Sequence, residues 1–327
     1  MRVLFLFWLI ASASYVAMRG KVRFAFWRQL SDHSTFLAPI NAVFYMFSTL
    51  RRGAYIDASS FPELAPLKAN WQTIRDEALA VDAAQKIAAA ENYSDIGFNS
   101  FFKTGWRRFY LKWYGDPHPS ALALCPVTTR LLQEIPTVRA AMFAQLPPGA
   151  TLVTHRDPYA GSVRYHLGLV TASSPSCYIE VDGEKYYWRD GEEVMFDETY
   201  IHYAKNETAI SRIVLFCDIE RPMRYRWATA LNRIFSNVLL RAATSPNEIG
   251  DRTGFLNRAF KYIYAIRRLG KRIKAWHRPT YYAVKWVLFG SIFAGIIYTH
   301  TIQSSDATHH ISNARRPRRS DLPLNST

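Results

Sequence analysis

Through the middle of the chain, apolar and polar positions alternate with a period of two, which is the pattern of half-buried β-strands. The alternating runs are short and rich in β-branched and aromatic residues, and Pro-Pro-Gly or Asp-Gly turns separate them. Short strands joined by tight turns are typical of an antiparallel double sheet. We therefore predict a mainly β, jelly-roll core at residues 136–222. Its clearest strands are expected at 162–170, 177–181, 185–188, 194–196 and 210–218.

Before this core, apolar residues recur every three or four positions, which predicts helices. One helix is expected at 61–91 and a second, covering one sheet face, at 119–134. Between them, residues 95–114 carry eight aromatic side chains. We expect most of these in the core, although some could line a groove for an acyl chain. Residues 21–135 are thus predicted to be a helical and aromatic-rich flanking region, with a buried or interfacial helix at 36–50.

Both ends of the chain contain uncharged runs that suggest membrane attachment. Residues 3–18 lie between Arg2 and Arg19 and are slightly too short for a hydrocarbon core of about 30 Å, a difference that snorkelling arginines can make up. A cleaved signal peptide is the alternative, because Ala-Ser-Ala at 11–13 resembles a cleavage site. We favour a membrane anchor at 1–20, since basic residues follow it directly.

The C-terminal third is basic. Residues 252–285 hold ten Lys or Arg and no acid, interleaved with aromatic residues, so 223–285 is predicted to be a helical region on a membrane surface. A solvated charged face is the simpler alternative. An apolar membrane segment is expected at 286–302 and a disordered tail at 303–327. Basic residues on the domain side of both apolar runs predict a cytoplasmic catalytic domain, with Met1 and Thr327 on the far side.

Composition narrows the possible partners. The net charge of +15 and the pI near 9.8 favour an anionic partner, and the chain carries no nucleic-acid-binding motif. An anionic membrane is therefore the expected partner. The three cysteines are scattered and form no CxxC, so neither a zinc knuckle nor a disulfide framework is indicated.

The candidate chemistry lies within the β core. His155 and Asp157 are two residues apart, so on an extended segment their side chains point to the same face. His202 would have to join them from another strand. Two imidazoles and one carboxylate form the facial triad of non-haem Fe(II) oxygenases. His-x-Asp alone is more often a surface turn, but the later His202 and Arg212 favour a metal site.

These segments resemble the aspartyl/asparaginyl β-hydroxylase family of Fe(II)- and 2-oxoglutarate-dependent dioxygenases, and within it the bacterial lipid A hydroxylases. The resemblance covers most of the chain up to residue 222. It is carried by RGKVR at 19–23, DHSTFLAPIN at 32–41, GFNSFFKTG at 97–105, RFYLKWY at 108–114, and the stretch from WRDG at 188–191 to RP at 221–222.

The resemblance implies a double-stranded β-helix core and a particular set of ligands. His155, Asp157 and His202 are expected to bind Fe(II), and Arg212 and His166 to bind the two carboxylates of 2-oxoglutarate, with dioxygen as the other cosubstrate. Arg164 is placed either against the substrate or in a packing or salt-bridge role.

Two positions depart from what the resemblance implies for peptide-hydroxylating relatives. Several of these carry Gly where this chain has Asp157, so a full triad is available here. Ala144 replaces a serine that such relatives can have near the cosubstrate.

The expected function is hydroxylation of a secondary fatty acyl chain of lipid A, at C2, at the bacterial inner membrane. Peptidyl aspartyl or asparaginyl β-hydroxylation is the alternative. A non-catalytic, cupin-like binding module is the third possibility, but it would not need all five site residues. Lipid A or its precursor is thus the expected partner, because membrane segments at both ends suit a lipid substrate better than a soluble peptide.

Overall fold

The computed structural model describes residues 2–89, 95–284, 287 and 291. The chain divides into two compact units, Met1–Lys261 and Tyr262–Thr327. The strands of the described part are β1 Tyr55–Ile56, β2 Arg107–Trp113, β3 Val138–Leu146, β4 Thr151–His155, β5 Ser162–Val170, β6 Cys177–Val181, β7 Glu184–Tyr187, β8 Glu193–Phe196, β9 His202–Asn206 and β10 Arg212–Glu220. Its α-helices are α1 Arg2–Met18, α2 Phe26–Leu30, α3 His33–Phe36, α4 Ala38–Phe47, α5 Ala65–Ala69, α6 Trp71–Ala83, α7 Pro119–Leu124, α8 Pro126–Glu134, α9 Arg226–Phe235 and α10 Phe255–Trp276.

Two antiparallel sheets form the β core. The large sheet has the order β1-β8-β5-β10-β3-β2, and the small sheet has the order β4-β9-β6-β7. Apolar side chains from both sheets, such as Phe216 of the large sheet and Ile179 of the small one, meet in one buried cluster. The mainly β core with flanking helices that the sequence predicts is therefore confirmed.

Helices α5 to α8 cover the outer face of the large sheet. Leu67 of α5, Ile74 of α6 and Leu132 of α8 are fully buried against Phe143 and Leu215 of the sheet. Because side chains alternate along a strand, this leaves the other face of β5 and β10 free to build the interior between the sheets.

Each of the two predicted flanking helices is divided into shorter helices. The helix expected at 61–91 is a short 3-10 turn, then α5 and α6, and it ends at Ala83. The helix expected at 119–134 is α7 and α8, which meet at Cys125. Proline disfavours a helical conformation in the residue before it, and Cys125, which precedes Pro126, has a non-helical backbone.

The sheet begins earlier in the chain than the predicted start of the core at residue 136. β2, in the aromatic-rich stretch, pairs with β3 in a register that places Tyr110 opposite Met142, and β1 pairs with β8. Four consecutive residues of β2 are buried, so the strand shows no clear alternation of apolar and polar residues.

The predicted membrane segments have different outcomes. Among the described residues, no helix is both long enough and apolar enough to cross a membrane. The anchor predicted at 1–20 corresponds to the 17-residue α1 and is not confirmed as a membrane span. The region 223–285 contains α9 and α10 and is largely helical. Most of the predicted apolar segment 286–302 and all of the tail 303–327 lie outside the described residues.

Candidate metal centre and cosubstrate pocket

The small sheet brings the three predicted ligands together. His155, the last residue of β4, pairs in register with His202, the first residue of β9, and their ring centroids are 4.2 Å apart. Asp157 follows two residues after His155, and the ligand atoms of the three side chains all lie within 4.8 Å of one another. This geometry fits a facial triad that holds one face of a metal ion.

Backbone carbonyls orient both imidazoles. Nδ1 of His155 lies 2.6 Å from the carbonyl oxygen of Val153, and Nδ1 of His202 lies 2.9 Å from that of Tyr200. Since a carbonyl only accepts, each Nδ1 carries the hydrogen and each Nε2 keeps a lone pair for a metal. Burial lowers the pKa of His155 and lowers that of His202 to about 3, so both rings are neutral.

Arg164 orients Asp157. Its guanidinium lies 2.7 Å from Oδ2 of Asp157, which leaves Oδ1, 3.5 Å from Nε2 of His155, facing the centre. Burial alone would raise the pKa of Asp157, but Arg164 and the two histidines outweigh it and lower the pKa. The guanidinium also lies 3.0 Å from Asp218 and 3.7 Å above the ring of Phe216. Arg164 therefore has the salt-bridge role, and a contact with substrate stays a prediction.

Three buried side chains, two on the large sheet and one in the turn between β7 and β8, have polar groups without a hydrogen-bond partner in the described part of the chain. Both ring nitrogens of His166, on β5, are buried without a hydrogen bond, as are Nε of Arg212 and Nε1 of Trp188. The Arg212 guanidinium lies 4.3 Å above the Trp188 ring, and the rings of Trp188 and His166 are 6.0 Å apart. Unpartnered buried donors normally have a ligand or water to satisfy them, so this group fits a carboxylate ligand.

The charge on Arg212 supports the same conclusion. Its side chain is buried, and no carboxylate of the described residues lies within ion-pairing distance. Burial lowers its pKa to about 10, which still leaves it protonated at neutral pH. A buried cation is costly unless an anion pairs with it, and a guanidinium can bind a carboxylate through two parallel hydrogen bonds. The donor set therefore fits 2-oxoglutarate.

Gly168 brings Trp188 into the site, a role that the sequence pattern did not reveal. A Cβ at this position would lie 2.1 Å from the carbonyl oxygen of Arg189, so only glycine lets the β7–β8 turn approach β5 so closely. The amide of Gly168 donates to the carbonyl of Glu192, and that of Gly191 donates to the carbonyl of Gly168. The neighbouring Trp188 is thereby held over Arg212.

An aromatic cavity of about 330 Å³, including its mouth, opens over the metal ligands. The Phe101 ring packs 4.6 Å from that of His155, which confirms that part of the aromatic stretch 95–114 reaches the site. Ala144 lies buried on the same inner sheet face. The apolar lining includes Phe98, Phe101, Trp106, Leu152, Phe196 and Phe216.

Glu198 is a second buried acid beside the centre that the sequence analysis missed. Its Oε1 accepts a hydrogen bond of 2.8 Å from Ser162, while Oε2 has no partner among the described residues. Burial raises its pKa to about 8. Its backbone carbonyl accepts a hydrogen bond from the amide of Asp157, so the segment that carries Glu198 also fixes a metal ligand.

Comparison with known proteins agrees with this geometry. Residues 68–222 match the family model described as Aspartyl/Asparaginyl beta-hydroxylase. The predicted family resemblance is thereby confirmed. The matched range contains β2 to β10 and therefore the three candidate metal ligands together with His166 and Arg212.

Two curated relatives illustrate the range of the resemblance. The ornithine lipid ester-linked acyl 2-hydroxylase of Rhizobium tropici is 32% identical over 170 residues, which cover 51% of this chain and 60% of that protein. The aspartyl/asparaginyl beta-hydroxylase of Homo sapiens is 29% identical over 162 residues, which cover 48% of this chain and 21% of that protein. The chain thus spans only part of the length of each relative.

Among solved structures, a Pseudomonas putida prolyl-4-hydroxylase is 18% identical, with a TM-score of 0.34. The match covers 56% of this chain and 99% of that one.

Proposed function

We propose that this protein is an Fe(II)- and 2-oxoglutarate-dependent dioxygenase that hydroxylates an acyl chain of a membrane lipid. The expected substrate is a secondary fatty acyl chain of lipid A, hydroxylated at C2 at the bacterial inner membrane. One observation carries the proposal. Three oriented ligands, His155, Asp157 and His202, lie beside a buried Arg212 that has no acid partner in the described residues.

Each group has a defined task in this proposal. His155, Asp157 and His202 hold the iron, and Arg212 and His166 bind the carboxylates of 2-oxoglutarate. Bound iron, with 2-oxoglutarate and dioxygen, supplies the oxidising power to cleave an aliphatic C–H bond. Arg164 keeps Asp157 in place, while Phe101 shields the centre from water.

An exposed apolar surface beside the metal ligands supports a lipid substrate. Arg28 of α2 donates a 2.5 Å hydrogen bond to the carbonyl of Thr154, the neighbour of His155, so α2 lies against the end of β4. On α2, Phe26 is 70% and Trp27 is 78% exposed, and Leu30 is also exposed. We call Phe26, Trp27 and Leu30 the entrance surface. Exposed apolar surface of this kind marks contact sites for membranes or other proteins.

Helix α1 exposes a second set of apolar side chains. Its first half exposes Val3, Leu4, Phe5, Leu6, Phe7 and Ile10. Moving an acyl chain from a bilayer into water costs about 0.8 kcal/mol per methylene, or about 8 kcal/mol for ten methylenes. An enzyme whose cavity opens beside a membrane-bound surface avoids most of this cost.

The names of the relatives support an ester-linked lipid as the substrate, but they also offer a second candidate substrate. The Rhizobium tropici relative is named for an ester-linked acyl chain, and the secondary acyl chains of lipid A are esters too. The human relative is named for aspartyl and asparaginyl hydroxylation, so a peptide substrate is the alternative. The aromatic lining of the cavity suits an aliphatic chain better than a carboxylate or amide side chain.

Mass spectrometry of lipid A tests the proposal. The chain would be expressed in a bacterium whose lipid A lacks 2-hydroxyacyl groups. We expect lipid A to gain the mass of one oxygen atom, and His202→Ala to abolish the gain. His277→Ala, which changes an exposed histidine of the other unit, should retain it. No gain on any lipid, together with hydroxylated Asp or Asn in a peptide, would favour the alternative.

A further inference from the structure

The side chain of Arg19, the first residue after α1, is only 7% exposed and packs against the segment that precedes β9. Its NH2 lies 2.6 Å from Oδ2 of Asp197, and its NH1 donates a 2.5 Å hydrogen bond to Oγ1 of Thr199. The guanidinium also lies 4.2 Å above the ring of Tyr200 and 4.0 Å above that of Tyr45. One side chain therefore contacts three of the four residues from Asp197 to Tyr200.

The segment 197–200 fixes two of the metal ligands through its backbone. The carbonyl of Glu198 accepts a 2.9 Å hydrogen bond from the amide of Asp157. The carbonyl of Tyr200 accepts the Nδ1 hydrogen of His202 at 2.9 Å and so selects its tautomer. A displacement of this segment would move the carboxylate ligand and release one imidazole. Arg19 contacts the same segment through the side chains of Asp197 and Thr199.

The last turn of α1 also contacts the other ligand segment. Arg156 lies between His155 and Asp157 in the sequence, and its NH1 donates a 2.7 Å hydrogen bond to the carbonyl of Val16. Arg156 is buried, and this contact with α1 uses one of its guanidinium nitrogens. The end of α1 is therefore bonded to both segments that carry the metal ligands.

Gly20 holds this turn tightly against the core. Its φ is +88°, and a Cβ would lie 2.6 Å from Oδ1 of Asp182 and 2.9 Å from the ring of Tyr200. The amides of Lys21 and Val22 then donate to Oδ1 of Asp182 at 2.7 Å and 2.9 Å. These hydrogen bonds fix the backbone directly after Arg19. They therefore limit the positions that the Arg19 side chain can take beside Asp197.

We propose that Arg19 is a positioning residue of the metal centre. By holding Asp197 and Thr199, it keeps the carbonyls of Glu198 and Tyr200 in place for Asp157 and His202, and so sets the affinity of the site for a divalent metal. This inference rests on the proposed function, because it assumes that His155, Asp157 and His202 bind the metal. A residue that merely stabilised the fold would change the unfolding temperature and leave the metal affinity of the folded protein unchanged.

Titration of the full chain with Co(II) tests the inference. Co(II) absorbs visible light according to its ligands, so one titration gives both the dissociation constant and the coordination. We expect Arg19→Met to weaken Co(II) binding about 10- to 100-fold, the usual effect of removing a group that orients a ligand. Lys21→Met is the matched control. It removes an exposed ion pair with Glu184 from the same segment and should bind Co(II) like the wild type.

Thr199→Val approaches the same contact from the other side. It removes the acceptor of the Arg19 NH1 hydrogen bond, together with the hydrogen bond that Thr199 Oγ1 donates to Asp197, but keeps the Arg19–Asp197 ion pair. We therefore expect a smaller loss of affinity and an altered Co(II) spectrum. Circular dichroism establishes that each variant is folded. If Arg19→Met does not fold, the dissociation constant of Thr199→Val decides the question.

The outcomes separate this inference from the proposed function. If the wild type binds no Co(II), or His202→Ala binds it equally well, the proposed metal site is wrong. If the wild type binds Co(II) and His202→Ala does not, a wild-type dissociation constant in folded Arg19→Met, or in Thr199→Val where Arg19→Met does not fold, overturns the positioning role. A lower unfolding temperature with an unchanged dissociation constant for Co(II) would also overturn the positioning role.

Discussion

At the scale of single residues, the most informative group is the buried guanidinium of Arg212, which has no carboxylate partner among the described residues. A buried ion without a counter-ion costs several kcal/mol, and the fold retains Arg212 nevertheless. Binding of a carboxylate would recover much of this cost. The affinity of the site for 2-oxoglutarate should therefore depend more on Arg212 than on any neutral donor nearby.

We expect Arg212→Met to weaken 2-oxoglutarate binding about 100-fold, because a charge-assisted hydrogen bond contributes a few kcal/mol. His166→Ala should cause a smaller loss, since a neutral ring gives up one hydrogen bond and no charge. The measurement is the dependence of turnover on 2-oxoglutarate concentration. Arg189→Met is the control, because Arg189 follows Trp188 in the β7–β8 turn, but its side chain is 40% exposed and pairs with Glu192. An unchanged requirement in Arg212→Met would assign the distal carboxylate to another residue.

The sequence was sufficient to predict that His155, Asp157 and His202 belong to one site, but not which residues orient them. His155 and Asp157 are identifiable because their spacing is local and their chemistry is specific. Trp188 reaches Arg212 only because a turn packs on Gly168, and Arg156 reaches Val16 only because α1 folds back on the core. Such contacts depend on tertiary packing, which a local pattern does not encode.

At the scale of elements, the clearest predicted strands correspond to β5, β6, β7, β8 and β10, whereas β2 is not among the predicted strands. β5 and β10 are buried along nearly their full length, and the period-two pattern with β-branched and aromatic residues predicts both. β2 lies at the edge of the large sheet, and its aromatic residues pack on both faces, so no alternation marks it as a strand. The break before Pro126 follows from the proline, whose effect the apolar periodicity does not include.

The entrance surface on α2 gives a prediction at this scale. The double variant Phe26→Ser and Trp27→Ser should bind vesicles of phosphatidylglycerol and phosphatidylethanolamine about tenfold or more weakly, because full burial of each large apolar side chain contributes about 1.5–3 kcal/mol. Co-sedimentation with the vesicles measures the effect.

Leu79→Ser is the matched control for this variant. Leu79 is an exposed apolar residue of α6, on the outer face of the large sheet and away from the metal ligands. It should bind vesicles like the wild type. Equal binding by the double variant and the wild type would mean that the entrance surface does not contact the membrane.

At the scale of the whole molecule, the candidate site joins the two sheets. The metal ligands belong to the small sheet and to the segment after β4, whereas His166, Arg164 and Arg212 belong to the large sheet. A metal bound by the one set and a dicarboxylate bound by the other would meet between the sheets. Ligand binding should therefore stabilise the unit Met1–Lys261 as a whole, and not only one strand pair.

This coupling predicts how the unfolding temperature responds to ligands. A metal at 100 times its dissociation constant stabilises the folded state by about 2.7 kcal/mol, provided that the unfolded chain does not bind it. For 150–250 residues this corresponds to a rise of roughly 5–10 °C. Under anaerobic conditions with Fe(II), the addition of 2-oxoglutarate should raise the temperature further. Differential scanning calorimetry of the full chain measures both steps. The His202→Ala variant should lose the first step, and Arg212→Met should keep the first and lose the second. A second step that survives in Arg212→Met would mean that the cosubstrate does not bridge the two sheets through this residue.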